Sequence, residues 1–409
     1  MPYHRYAWSL LLVAQAAQAG PLTFDAALDR AASNAPSLRA REASVSAARS
    51  VAIASDRLPD PTLDVTLRDF PVTGPDAFSL NRDNFTATQI GVTQQFINPS
   101  KRHARLGRAE AAIGMAEADA MVEARTVRLA TALAWIDLYY AQKRLDRLSL
   151  LESSLGDLQA TVTARLASGS ARPSQAFEPD QLRAQIADRR AGVRAEIARA
   201  RAQLVRYTGD PDPQTAGDPP DLAIDETGLR ARLDSLPALR ALDARATAAD
   251  ADVRLAAADR RPDWRVGAAY ARREPAFGDL VTLTVSIDLP LFGGKRQQPR
   301  IAAAGDLATG ARLDREAGLH EWAAQLDGDL AEHAMHHARL TNARDNLVPL
   351  AKRRGELDLV SYRAGRLDLG TALLSTLTLA EAEVDLLDRE AEVARDAVRI
   401  NMTYGEDRP

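Results

Sequence analysis

From Lys101 to Ser168 the chain runs for roughly seventy residues without a proline, built largely from Ala, Arg, Glu and Leu. As one α-helix such a run is about 100 Å long at 1.5 Å per residue, some three times the width of a small domain. Leu148, Leu151, Leu155, Leu158 and Val162 step by three and four, the spacing of a helix that supercoils against neighbours. Gly169, Ser170 and Pro173 end the run, and a return helix follows over 174–207. Aromatic residues make up only 5% of the chain, so Ala and Leu must carry the packing. Helices that pack on Ala approach closely, as they do in bundles and tubes.

The same programme occurs twice. In the first repeat, 20–208, a helix is expected from Thr23 to Arg57, capped by Asp25 and interrupted at Pro36. Strands at about 62–68 and 85–97 follow, then the long helix 101–168 and its return. A Pro- and Asp-rich connector covers 209–226. The second repeat, 227–409, has strands at about 264–271 and 279–292, a long helix 299–364 and a return helix 367–404. Leu236-Pro237-Ala238-Leu239 matches Ala35-Pro36-Ser37-Leu38, and Asp259 to Asp263 matches Asp56 to Asp60. Gly294-Lys295-Arg296 stands where Ser100-Lys101-Arg102 stood. Gly169 to Gly209 and Gly365 to Gly405 are both intervals of 40 residues. Breaks, strands and spacings agree, which is the mark of an internal duplication. The final helix carries the most regular seam, from Leu373, Leu377 and Ala380 to Ala391, Ala394 and Val398, alternating steps of four and three.

The first nineteen residues read as a signal peptide: His4 and Arg5, an apolar run over 10–14, then the small-x-small site Ala17-Gln18-Ala19. No Cys follows it, and the chain has none, so disulfides and thiolate metal sites are excluded. The net charge of -4 gives no basic surplus for nucleic acid. No run of about 18 apolar residues is present beyond the leader, hence no transmembrane helix is expected. An exported chain of this kind spans a membrane only as a closed β-barrel.

The stretch from Asp279 to Phe292 bears on that alternative. Val281, Leu283, Val285 and Ile287 fall on one side of an extended chain, with Thr282, Thr284 and Ser286 on the other. Such a strand covers a soluble core, or stands between lipid and a water-filled lumen with its apolar side outward. Two repeats supply four strands, too few to close a barrel with room inside. Either the sheet is soluble, or the barrel is shared: three chains give twelve strands, within the range of membrane barrels. The long helices then form a periplasmic tunnel.

Gln94-Gln95-Phe96 running to Lys101-Arg102, its counterpart Pro290 to Gly294, the turn strings Arg165 to Gly169 and Ser361 to Asp368, and their order together resemble the TolC-type outer membrane efflux family over nearly the whole mature chain. The Lys-Arg after the second strand resembles the heavy-metal (cobalt-zinc-cadmium) branch. The resemblance implies a mainly α fold of two structural repeats, a trimeric 12-stranded barrel and a long α-helical tunnel. It implies an outer membrane location reaching into the periplasm, and a passive exit duct without cofactor. The implied partners are the homotrimer, a periplasmic adaptor (membrane fusion) protein, an inner-membrane RND-type pump and outer membrane lipid.

On this resemblance the adaptor docks at the helix-turn tips, which nominates Arg165, Gly169, Tyr362, Arg363 and Gly365. Related chains close the periplasmic end with acidic and polar residues just past the second turn. Here Asp368 is the nearest acid, Thr371 and Leu374 replace frequent carboxylates, and an apolar collar from Leu373 or Leu374 becomes an alternative. Arg363 and Arg366 are candidates for interhelix ion pairs. His333, His336 and His337 share a helix face, which reads as a solvated surface without an acidic partner, or alternatively as a transition-metal site. No Walker loop, dinucleotide fingerprint, HExxH or nucleophile elbow is present, so no catalytic residue is nominated. Two other readings stay open: a duct for drugs or type I secretion, and a soluble periplasmic coiled-coil scaffold or adaptor.

Overall fold

The computed structural model describes residues 21–80, 82–167, 172–221 and 223–406. It is mostly helical with one four-stranded antiparallel sheet. The leader assigned to 1–19 lies outside the described residues. Contacts divide the chain into two units, one of 37–125 and 227–327, the other of 1–36, 126–226 and 328–409.

In the first of these units, helix α2 (Pro36–Ser55) leads into strand β1 (Thr62–Arg68), and β2 (Ala87–Phe96) leads into α3 (Pro99–Ala167), whose first part belongs here. The second repeat supplies α5 (Glu226–Ala231), α6 (Pro237–Ala258), β3 (Trp264–Arg272), β4 (Leu280–Ile287) and the beginning of α7 (Gln297–Asn342). The strands lie in the order β1-β2-β3-β4. Strand β4 is shorter than the expected 279–292. The Asp288 N–H still donates to the Asp263 carbonyl oxygen at 3.0 Å, the next position of the β3–β4 register, and Pro290 then has no N–H to extend the ladder. Helix packing here is close: a Cβ added to Gly318 of α7 would lie 2.6 Å from Leu242 Cδ1 on α6.

The other unit contains α1 (Phe24–Asn34), the rest of α3, α4 (Glu178–Thr208), α8 (Val348–Arg363) and α9 (Leu369–Tyr404). Thr23, not Asp25, caps α1: its hydroxyl accepts the Ala26 N–H at 3.3 Å, while Asp25 sits in the first turn. Trp135 is the centre of the core, fully buried, edge-on to Phe24 and stacked on Tyr139. Its indole N–H donates to the Leu22 carbonyl at 2.8 Å, so the one polar atom of the ring is satisfied. Arg144 of α3, almost buried, bridges Glu196 of α4 at 2.6 Å and Asp388 of α9 at 2.7 Å, tying three helices together. Burial pushes the Asp388 carboxyl up despite that guanidinium.

The expected helix 299–364 is not uniform. Ala343–Leu347 form a π-helical turn between α7 and α8, directly before Pro349. Proline lacks the N–H of a regular turn and its ring crowds the carbonyl four residues earlier, and a π turn absorbs both. The return helix of the first repeat likewise opens with a 3₁₀ turn, Pro173–Phe177. The side chains of Leu155, Leu158 and Val162 lie outside the described residues.

Candidate functional site

Antiparallel pairing places directly opposed residues on one face, so the register decides what the sheet presents. Leu63 is opposite Val92, Val65 opposite Ile90, Val92 opposite Ala268 and Ile90 opposite Tyr270. Ala268 is opposite Leu283, Val266 opposite Val285 and Trp264 opposite Ile287. One face is therefore largely apolar across all four strands, interrupted by Thr88 and Arg272 toward one end and by Gln94 toward the other, and it is bare: Val65 is 70% exposed, Leu283 77% and Val281 72%. Val285 and Ile287 belong to the same exposed face. The opposite face carries Asp64, Gln89, Thr93, Gly267, Thr282 and Ser286, polar or small residues. Gly91 is needed there: an added Cβ would meet Ala269 Cβ at 2.9 Å and the Ala268 carbonyl oxygen at 3.2 Å. Strands β1 and β4 each have one neighbour, which leaves one edge of each unpaired among the described residues.

The sheet is pinned where its repeats meet. Lys101 Nζ lies 2.9 Å from Asp263 Oδ2, both side chains only about a tenth exposed. The Asn98 N–H donates to Asp263 Oδ1 at 2.9 Å, and the Asn98 amide reaches the Pro262 carbonyl at 3.3 Å. Burial works against ionising Asp263, but these two donors together with Arg105 outweigh it and hold the carboxyl below its usual range. Sequence matching paired Asp263 with Asp60, yet nothing local signalled that Asp263 would meet a lysine 162 residues away.

At the second helix turn, Gly365 adopts φ 72°. Its N–H donates to the Tyr362 carbonyl and the Arg366 N–H to the Ser361 carbonyl, both at 2.9 Å, a Schellman motif that ends α8 in a left-handed residue. Asp368 then caps α9, accepting the Thr371 N–H at 3.0 Å and the Thr371 hydroxyl at 2.7 Å. Those bonds, the hydroxyl foremost, hold its carboxyl below the usual range. Gly169 and the Arg165 side chain lie outside the described residues.

Two nominated residues sit differently from their expected setting. Tyr362 is 3% exposed, packed with Leu182, Ile186, Leu369, Ala372 and Leu373. It shapes the turn from inside and does not present a surface, whereas Arg363 and Gly365 are exposed. Leu373 belongs to the same cluster, so its neighbour Leu374, 59% exposed, is the residue free to form a collar. One step along a helix turns a side chain by about 100°, enough to separate them. Arg363 and Arg366 make no ion pair among the described residues. Sequence reasoning missed Glu178 at the start of α4: a Cβ on Gly370 would lie 3.3 Å from both Glu178 Oε1 and Asp368 Oδ1. Burial, with Asp368 nearby, pushes the Glu178 carboxyl up.

His333 and His336 are largely withdrawn from solvent and do have an acidic partner, while His337 is exposed. His336 Nδ1 lies 2.7 Å from Asp396 Oδ2, a carboxylate almost fully buried on α9, and His333 Nδ1 lies 3.9 Å from the same oxygen. Glu392 is 3.8 Å from His336 Nε2. Helices α7 and α9 face each other here, an arrangement set by packing that no spacing within α7 reveals. Among the described residues no group of three or more His, Asp or Glu is placed to hold a metal.

The whole chain compares closely with solved membrane channels. The outer-membrane channel OprN superposes with TM-score 0.76 at 18% identity, covering 93% of this chain and 89% of that one. The Campylobacter jejuni CmeC outer membrane channel gives 0.76 at 13% identity, with 93% and 85% covered. The chain has the TolC-type fold. CusC, studied for conformational changes accompanying folding and transmembrane channel formation, shares it at TM-score 0.74 and 14% identity, with 94% and 92% covered. No family model matches the chain, and no curated protein matches it in sequence. The TolC-type fold is thus shared at low sequence identity.

Proposed function

We propose that this chain is the outer membrane channel of a tripartite efflux system, a passive duct and not an enzyme. The observation that carries the reading is the bare apolar face from Leu63 to Ile287 on a sheet with two open edges. In water such a face is an aggregation hazard. In lipid it is the outer wall of a barrel, provided the edges are paired, since each unpaired backbone group there costs several kcal/mol. Three copies give twelve strands, with Val281, Leu283, Val285 and Ile287 toward lipid and the Thr and Ser face toward the lumen. The fold shared with OprN and CmeC, both outer membrane channels, supports that setting.

In this reading the helices reach into the periplasm and meet an adaptor, which couples the duct to an RND-type pump that supplies the energy. Arg165, Gly169, Arg363 and Gly365 are the proposed docking surface, with Tyr362 fixing its shape. Asp368, Thr371 and Leu374 are the proposed constriction, backed by Leu373. Heavy-metal cations are the proposed cargo, on the sequence resemblance to the cobalt-zinc-cadmium branch. The decisive experiment is fractionation followed by planar-bilayer recording of the detergent-purified protein. Trimer in the outer membrane that conducts ions supports the duct, and release into the periplasmic fraction without detergent refutes it. Unchanged tolerance to zinc, cobalt, cadmium and copper after deletion of the chain refutes the metal cargo alone.

A further inference from the structure

In the unit that holds the sheet, helices α2, α3 and α6 enclose an open cleft of about 1020 Å³ that ends at Pro59 and Ile97, where helices and strands meet. Its wall has two chemistries. Val51, Leu58, Ile97, Met115, Leu255 and Leu307 make it apolar, while Arg57, Arg105, Arg108 and Arg245 set four guanidiniums against one carboxylate, Asp252. Arg108 takes that carboxylate at 2.5 Å, and Arg245 reaches Asp119, outside the lining, at 3.8 Å. Arg57 and Arg105 are exposed and make no ion pair among the described residues. Arg105 does act on Asp263, but Lys101 already pairs that carboxylate at 2.9 Å. Two cations are thus left without a counter-ion beside exposed alkyl surface.

The two chemistries are ordered along the cleft. Arg57 and Arg105 stand at its strand end, close in the chain to Pro59 and Ile97. From Arg105 to Met115, α3 runs about 15 Å away from that end at 1.5 Å per residue, past Ala109 and Ala112, with Ala248 and Ala249 of α6 lining the same cleft. The cleft also lies on the polar side of the sheet. Asp263 precedes Trp264 of the apolar face, so its side chain falls on the other face, as does that of Asp288, which Arg265 of the polar face binds at 3.0 Å. Lys101 meets Asp263 there, and Arg105, Arg108, Ala112 and Met115 follow Lys101 along α3 at steps of four, three, four and three. One face of α3 therefore serves both Asp263 and the cleft.

An apolar wall with a few convergent charges is the usual make-up of a small-ligand site, and guanidinium matches the oxygens of a carboxylate or phosphate two at a time. We propose that the cleft binds a single-chain anionic amphiphile, its alkyl chain laid along Ala109, Ala112 and Met115 and its carboxylate or phosphate head held by Arg57 and Arg105. An uncharged hydrocarbon leaves both guanidiniums without a partner, and a small inorganic anion leaves the apolar wall in water, so neither satisfies both chemistries. The site rests on the channel reading only for its place on the inner wall of the duct, since the cleft is formed within one chain.

The test is photolabelling of the protein in amphipol with a dodecanoate that carries a diazirine at the chain end. Irradiation and peptide mass spectrometry are expected to place the label on the segments of α3 and α6 that carry Met115 and Ala248. Excess dodecanoate is expected to remove it, and excess dodecanol to compete at least several-fold less. Arg57→Gln with Arg105→Gln is expected to weaken labelling by at least about tenfold, the factor carried by a hydrogen bond to a charged group. Ala112→Trp fills the path of the chain and is expected to lose the label with every charge in place. All three positions are exposed, and circular dichroism checks that the variants stay folded. Label spread along the helices, label that neither variant reduces, or equal competition by dodecanol overturns the inference. Native mass spectrometry of protein extracted from membranes separates two sources of the ligand: a co-purified lipid anion missing from the double variant marks a membrane lipid, and protein that carries none but takes up added dodecanoate marks a passing solute. Conducting protein without label in the cleft refutes the inference and leaves the channel reading intact. Label in the cleft of protein released into the periplasmic fraction without detergent supports the site and refutes the channel.

Discussion

Removing the ammonium of Lys101 by Lys101→Met tests how the sheet is held to the helix beyond it. The two side chains are 11% and 12% exposed and 2.9 Å apart, so this is a buried pair and not a surface one. Breaking a buried pair leaves an uncompensated charge and costs about 3–5 kcal/mol, against about 0–1 kcal/mol for an exposed pair. Asp263 keeps the Asn98 N–H at 2.9 Å in the variant, which places the loss toward the lower end, about 3 kcal/mol. Changing both partners, Lys101→Met with Asp263→Asn, removes the orphan charge, so the pair of changes should cost less than the sum, with a coupling of about 2 kcal/mol. The pH dependence has a fixed sign. Asp263 is held below its usual range, so its contribution is complete above the unfolded carboxyl value near about 3.9 and is lost as pH falls through the lower folded value. The assay is urea unfolding of the detergent-purified protein followed by circular dichroism, for the two single variants, the double variant and the parent, from neutral pH to pH about 3. A loss under about 1 kcal/mol, or the same loss across the whole acid range, refutes a buried charge latch.

Leu283→Arg puts a charge on the most exposed position of the apolar face, and in a bilayer it should cost about 2–4 kcal/mol at mid-depth and deplete the membrane fraction; undiminished insertion would refute a lipid-facing surface. Gly91→Val forces a branched side chain against Ala269 and should destabilise by about 1–3 kcal/mol in the same urea assay. The control, Gly107→Ala in α3, has nothing within 4 Å of the added carbon and should stabilise by about 0.5–1 kcal/mol. Burial pushes the His333 imidazole below its usual value, opposed by Asp396 and reinforced by His337 and His336. Its contribution is therefore complete above the unfolded value near about 6.5 and is lost as pH falls through that value toward the folded one. His333→Leu should flatten the unfolding midpoint between pH about 7 and 5, and a slope equal to the parent's would refute burial of a neutral ring.

Features that depend on short-range backbone geometry were legible in the amino-acid order alone. A period of two assigns Val281 to Ile287 one face, and a roughly seventy-residue run without proline makes one helix, α3, of 69 residues. Gly365 reverses the chain because only a residue without a Cβ enters φ 72° freely. Packing decided whatever depends on which distant element lies opposite. It set Lys101 on Asp263, Asp396 under His336, and Glu178 beside the cap of α9. The inward turn of Leu373, by contrast, follows the heptad seam that already carries it, and Leu374, one step off that seam, is left in the open. The contacts that packing decided share one cause. Local periodicity specifies the direction of a side chain about its own axis, whereas a partner's identity needs the register of two elements far apart in the chain, which only packing supplies.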